Sequence, residues 1–80
     1  MKMIKEIINE YLTRRTYIVG ESTTSWSHKI EVRQTLLDGK TIFDRVERYQ
    51  ANVSYDADGS VRIVKASTPY KSTSKITINK

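Results

Sequence analysis

The sequence has 80 residues, of which 38% are hydrophobic and 29% are charged, and its formal net charge is +5. A chain of this length has room for one domain with one small core, and it buries only about 60% of the surface that its unfolded form exposes. The sequence contains no cysteine, which excludes disulfides, thiolate metal sites and cysteine nucleophiles and fits a reducing compartment.

The first predicted element is an amphipathic helix at the N-terminus. Its apolar residues follow the i, i+3, i+4, i+7, i+8 spacing of one helical face: Ile4, Ile7, Ile8, Tyr11 and Leu12. A helix of about three turns is marginal alone in water, so we expect its apolar face to pack on a sheet. Charges interrupt this segment, so it lacks the apolar run of a signal peptide.

Strands follow the helix in the predicted order. The β-branched and aromatic residues 16–19 predict a short strand that ends at Gly20. From Trp26 to Leu36 apolar and charged residues alternate, which predicts a strand with an apolar inner side and a charged outer side. Residues 20–25 between the two strands are small and polar and predict a loop.

A hairpin is predicted next, with a three-residue loop at 37–39. This loop length pairs Ile30 with Val46 on the inner face and Glu31 with Arg45 on the outer face. The opposite charges of the second pair favour that register.

The second strand of this hairpin requires an irregularity. Its inner positions change from even to odd numbers between Val46 and Tyr49. We therefore predict a β-bulge at 47–48, because a bulge supplies the extra residue that such a change of parity needs.

A second hairpin is predicted with its loop at 57–59, which places Tyr55 opposite Val61. Pro69 ends the last long strand, because proline cannot donate a hydrogen bond to the ladder. Residues 74–79 then alternate isoleucines with polar residues and predict either an edge strand or part of a loosely ordered basic C-terminal segment, 68–80.

The predicted elements give one α+β domain spanning residues 1–80. The N-terminal helix packs on one face of an antiparallel β-meander of four to five strands, and the other face is charged and solvated. No stretch of 18 apolar residues occurs, so we expect a cytoplasmic protein that does not span a membrane.

Catalytic signals are weak in this chain. His28 is the only histidine, and no nucleophile motif accompanies it. Asp56 and Asp58 lie beside Gly59, but this composition is explained by a turn, and the remaining positions of a calcium loop have the wrong chemistry. We predict no enzyme activity, no cofactor and no metal site.

The preferred functional hypothesis is a protein-binding module of the inhibitor or adaptor type. It would use the outer sheet face or an edge strand, because the predicted register exposes apolar side chains where an isolated sheet needs none. The predicted partner-binding residues are Phe43, Val64, Arg33, Arg45 and Arg62.

The alternative is a nucleic-acid-binding accessory protein. Small basic domains without catalytic signatures are common among the accessory proteins of mobile elements. Residues 61–80 contain five basic and no acidic side chains, and clustered positive charge attracts phosphates. The predicted anion-contacting residues are Arg48, Arg62, Lys65, Tyr70, Lys71 and Lys75. Self-association into a homo-oligomer is a third hypothesis.

Overall fold

The protein is an all-β chain in a computed structural model that describes residues 1–22 and 25–78. Its six strands form one antiparallel sheet, curled into a half-barrel, in the order β1-β2-β3-β4-β5, and β6 also pairs with β4. The strands are β1 (Lys2–Ile8), β2 (Leu12–Glu21), β3 (His28–Asp38), β4 (Thr41–Tyr55), β5 (Val61–Ala66) and β6 (Lys71–Ile78). The predicted α+β class is therefore wrong, since the described residues include no helix.

The segment predicted as a helix is β1, a turn and the start of β2. The side-chain oxygen of Asn9 accepts hydrogen bonds from the backbone N–H groups of Tyr11 and Leu12, at 2.9 Å each, and such an Asx turn favours a chain reversal. Isoleucine favours strands over helices. A register shift between Met3 and Lys5 also lets residues at helical spacing share one side of a strand.

The hairpin between β3 and β4 has a two-residue loop, Gly39 and Lys40, with Asp38 opposite Thr41. Gly39 has φ 60°, as the first central residue of a type II′ turn requires. The predicted three-residue loop is wrong, and so is the bulge at 47–48, because β3 and β4 pair without a register shift.

The corrected register reverses the sides of several β4 residues. Ile30 lies opposite Tyr49 instead of Val46, and Glu31 lies opposite Arg48 instead of Arg45. Odd-numbered residues of β4 therefore share the side of Ile30, and even-numbered residues share the side of Glu31.

The predicted second hairpin is confirmed. Tyr55 lies opposite Val61, and the backbone N–H of Asp56 donates to the carbonyl of Ser60 at 2.9 Å. Gly59 has φ 87°, which completes a three-residue loop with its glycine in the left-handed region.

Strands β5 and β6 lie end to end along the same edge of β4. Residues 51–55 of β4 pair with β5, and residues 41–48 pair with β6. Between them, the N–H of Ser67 donates to Gln50 O at 2.8 Å and that of Tyr70 to Arg48 O at 2.9 Å. Pro69 lies inside this interruption, where no ladder hydrogen bond is needed.

The two faces of the curled sheet differ in chemistry. The inner face is the concave side, which carries the even-numbered residues of β3 and the odd-numbered residues of β4; the outer face carries the others. The fully buried hydrophobic residues among those described are Ile30 and Ala51, both 0% exposed and both on the inner face. The core is therefore small, as expected for one uncovered sheet.

A glycine substitution tests the β3–β4 turn. We expect Gly39→Ala to lower the free energy of unfolding by about 1–2 kcal/mol, because a side chain disfavours positive φ. Gly20→Ala is the matched control, since its added Cβ would also meet nothing within 4 Å and its φ lies outside the left-handed range. Equal urea midpoints for the two variants would contradict the type II′ turn.

Candidate binding surfaces

The inner face forms a trough of about 700 Å³ between the β1 side and the β5 side of the half-barrel. Apolar side chains contribute much of its lining: Ile4, Ile7, Val32, Tyr49, Val61, Ile63, Ala66 and Pro69. Burial raises the pKa of the Tyr49 hydroxyl, and the nearby Glu47 carboxylate adds to this increase. Both effects favour the protonated form of this hydroxyl inside the trough.

A polar band crosses the trough. The Nε of Arg14 donates to Oε1 of Gln34 at 2.9 Å, and Arg45 forms an ion pair with Glu47. These four side chains all line the trough. The inner face is consequently mixed in character, because guanidinium groups lie beside its apolar side chains.

Beyond this band, apolar side chains form a row across the end of the inner face. The ladder aligns Leu12 with Leu36, Leu36 with Phe43, and Phe43 with Ile76. Leu36 and Ile76 are 38% and 63% exposed, and Ile78 continues the row along β6 at 66%. We call Leu12, Leu36, Phe43, Ile76 and Ile78 the apolar row.

The outer face contains a buried carboxylate held by two arginines. The side chain of Glu31 is 3% exposed. Its Oε2 accepts a hydrogen bond from Arg33 Nε at 2.8 Å, and its Oε1 accepts from Arg48 at 3.0 and 3.1 Å. The Arg33 guanidinium also lies 5.3 Å from the ring centroid of Tyr17, within cation–π range.

The two arginines set the ionisation of this carboxyl group. Burial alone would raise the pKa of Glu31, but hydrogen bonds from Arg48 and Arg33, with their charges, outweigh burial and hold it below its usual range. Each guanidinium remains about half exposed. The cluster therefore combines a buried anion with two cations that still reach solvent.

This lowered pKa predicts an acid-dependent loss of stability. The Glu31 contribution is complete above the ordinary glutamate pKa of about 4.3 and is lost as pH falls through the lower folded-state value. We expect Tm to fall below about pH 4 and the fall to be shallower in Glu31→Gln. Thermal melts from neutral to acidic pH measure both curves, and parallel curves would contradict this assignment.

The outer face also carries more basic than acidic side chains by register. The basic ones are Arg15, Lys29, Arg33, Arg48, Arg62, Lys65, Lys71 and Lys75, and the acidic ones are Glu6, Glu31 and Asp44. Arg15 pairs with Glu6 at 2.7 Å, which raises the arginine pKa through a hydrogen bond and charge attraction. The ammonium groups of Lys71 and Lys75 form no ion pair within residues 1–22 and 25–78.

The predicted partner-binding residues do not form one patch. Phe43 and Arg45 lie on the inner face, opposite to their predicted side, because the hairpin loop is shorter than expected. Arg33 is on the outer face as predicted. Arg62 pairs with Asp56 at 3.5 Å, and Val64, 67% exposed, is the extra residue where β5 shifts register.

Apart from Arg48, which is on β4, the predicted anion-contacting residues lie on or beside the edge strands β5 and β6. Arg48 is opposite Lys71, and Lys75 is opposite Asp44. Tyr70 is 54% exposed just before β6. The Nζ of Lys65 lies 5.8 Å from the ring centroid of Trp26, a residue predicted to begin β3 that instead precedes it.

Sequence reasoning missed two features of these surfaces. Glu31 was predicted in a solvated outer pair, whereas it is buried between two arginines. The apolar row was also missed, since it depends on β6 pairing with the first half of β4. A useful signal was present in Ile76 and Ile78, because exposed isoleucines on an edge strand are unusual.

The residues considered for metal binding and catalysis have ordinary structural partners. The Nε2 of His28 lies 3.4 Å from the Tyr55 hydroxyl. The Ser60 hydroxyl and N–H both donate to Asp58, which lowers the pKa of that carboxyl group. Among the described residues, no three histidine, aspartate or glutamate side chains are grouped to hold a metal ion.

No protein-family model matches the sequence, and no curated protein or solved structure shows significant similarity to it. Within the part of the chain that the structure describes, no helix is long and apolar enough to cross a membrane.

Proposed function

We propose that this chain is a small, non-enzymatic protein-binding module of the cytoplasm, which uses its open sheet to receive a segment of another protein. The observation that carries this proposal is the amount of surface left exposed. The accessible surface is 5826 Å², whereas a monomer of this mass exposes about 5,000 Å². The excess of about 800 Å² resembles the area that one partner buries in an interface of standard size.

The open edges support the same proposal. In the described sheet, β1 pairs only with β2, while β5 and β6 each pair only with β4. Each of these strands therefore has one edge whose backbone groups can pair with an added strand. The apolar row reaches one of these edges through Ile76 and Ile78.

A capture experiment tests the proposal. Tagged protein is incubated with nuclease-treated native lysate, and the captured protein is purified and recombined with the module to measure Kd. We expect Ile76→Asp to weaken this reconstituted complex at least about tenfold. Ile8→Asp is the matched control, because Ile8 is similarly exposed, 60% against 63%, but lies on β1. Loss of all protein capture after nuclease treatment would overturn the proposal.

The excess positive charge of the outer face favours a second candidate, binding of nucleic acid. Lysines that contact phosphates release counterions, so affinity would fall steeply with salt. We expect Lys71→Glu with Lys75→Glu to reduce both the affinity for a single-stranded oligonucleotide and its salt dependence. A salt titration of fluorescence anisotropy measures this effect, and binding that is unchanged by salt would remove this candidate.

A further inference from the structure

The three edge strands differ in how well they can accept another strand. The β1–β2 ladder shifts register between Met3 and Lys5, and the β4–β5 ladder shifts between Asn52 and Val53. The β4–β6 ladder has no shift, and all eight residues of β6 are exposed. Bulges protect an edge against pairing, so β6 is the regular edge available for strand addition.

The two sides of β6 have different chemistry. On the outer side, Lys71 and Lys75 are four residues apart and have threonines between and after them. On the inner side, Ser72 and Ser74 are followed by Ile76 and Ile78, which extend the apolar row. A strand lying beside β6 would meet cations on the outer side of the sheet and isoleucines at one end of the inner side.

We propose that β6 binds an extended segment of a partner protein, with acidic residues opposite Lys71 and Lys75 and apolar residues opposite Ile76 and Ile78. This inference rests on the proposed protein-binding function and adds the edge and the chemistry of the partner. The two acidic residues of the partner are four positions apart and share one face of its strand, and the two apolar residues are two positions apart and share the other face.

Charge complementarity favours this occupant over a second copy of the chain paired about the centre of β6. If β6 paired antiparallel with β6 of another copy about Thr73, Lys71 would face Lys75 on both sides of the pair. Like charges directly opposite each other disfavour a strand pair. Arg48 is the ladder neighbour of Lys71, so an acidic side chain at this position would have a second cation nearby.

Two labelled peptides serve as probes. VTVESTSE is written for antiparallel addition and ESTSEVTV for parallel addition. In each orientation the two glutamates lie opposite Lys71 and Lys75, and two valines lie opposite Ile76 and Ile78. We expect one of them to bind and its lysine analogue, with both glutamates replaced, to bind at least about tenfold more weakly. Lys71→Glu with Lys75→Glu should invert this preference, so that the lysine peptide binds better.

Lys2→Glu with Lys5→Glu is the matched control, because it makes the same change of net charge on the β1 edge. This variant should keep the original preference. Two N-methylated peptides, each modified at alternate residues, test backbone pairing. Only one set of N–H groups faces β6, so one modified peptide should lose binding and the other should keep it.

Equal binding of acidic and lysine peptides, equal effects of the two N-methylated sets, or no binding at about 1 mM would overturn the proposal. If the captured protein still binds the module in these cases, the protein-binding function stands and β6 is the wrong edge. If oligonucleotide binding alone depends on Lys71 and Lys75, these lysines serve the nucleic-acid candidate and the proposal fails.

Discussion

Ile30→Ala is expected to lower the free energy of unfolding by about 3 kcal/mol, a large part of the total for a chain of this size. Ile30 is 0% exposed and pairs with Ile18 and Tyr49 at the centre of the inner face. Removing its methyl and methylene groups leaves a cavity that the two flanking strands cannot close without distorting the ladder. Urea unfolding followed by circular dichroism measures the effect.

Ile76→Ala is the matched control for this substitution. It removes the same atoms from a side chain that is 63% exposed, and we expect a change within about 0.5 kcal/mol. An equal loss in the two variants would show that Ile30 is not at the centre of the core. Similar m values in both variants are needed for this comparison, since m reports the surface exposed on unfolding.

Removing both arginines around Glu31 is expected to destabilise the protein by about 3 kcal/mol. The double variant, Arg33→Ala with Arg48→Ala, leaves a carboxylate that is 3% exposed without its two cations. A buried charge that loses its partners retains its desolvation penalty. Adding Glu31→Leu to the double variant should recover much of this loss, because it removes the unpaired charge.

The exposed pair of Glu6 and Arg15 provides the comparison. Their side chains are 35% and 43% exposed, and we expect Arg15→Ala to change stability by less than about 1 kcal/mol. Urea midpoints of the three variants and of the unsubstituted protein measure these effects. Further destabilisation on adding Glu31→Leu would contradict the assignment of Glu31 as a buried anion that depends on its arginines.

Short-range turn chemistry predicted part of this fold correctly. The alternation from His28 to Leu36 identified the inner and outer sides of β3, and the sequence around Gly59 identified the three-residue loop of the second hairpin. Both predictions depend on period-two patterning and on positive φ at glycine, which are local properties. They did not require knowledge of more distant pairing.

Local patterns did not predict the other elements correctly, because those patterns are compatible with more than one structure. The apolar spacing of the N-terminal segment satisfied a helical face, but its isoleucines also suit a strand, and pairing with β2 satisfies the backbone of β1. The loop at Gly39 differs from the predicted loop by one residue. That difference moves the β4 side chains that precede the predicted bulge to the opposite face, which explains why Phe43 is on the inner side.

The candidate surface was likewise predictable only in part. The basic character of the C-terminal segment is visible in the sequence, and Lys71 and Lys75 were identified from it. Its position beside the first half of β4 follows from the interruption around Pro69, which separates β6 from β5. This pairing is long-range, and it alone places Ile76 next to Phe43.

Hydrogen exchange at residues 71–78, with and without the preferred acidic peptide, provides the decisive measurement of β6 as an open edge. In the free protein, alternate amides of β6 should exchange rapidly, because their N–H groups point away from β4. The peptide should slow this alternate set and leave β1 unchanged. If β6 amides are uniformly protected without peptide, or if protection on binding falls on β1, this edge is not where the partner strand adds.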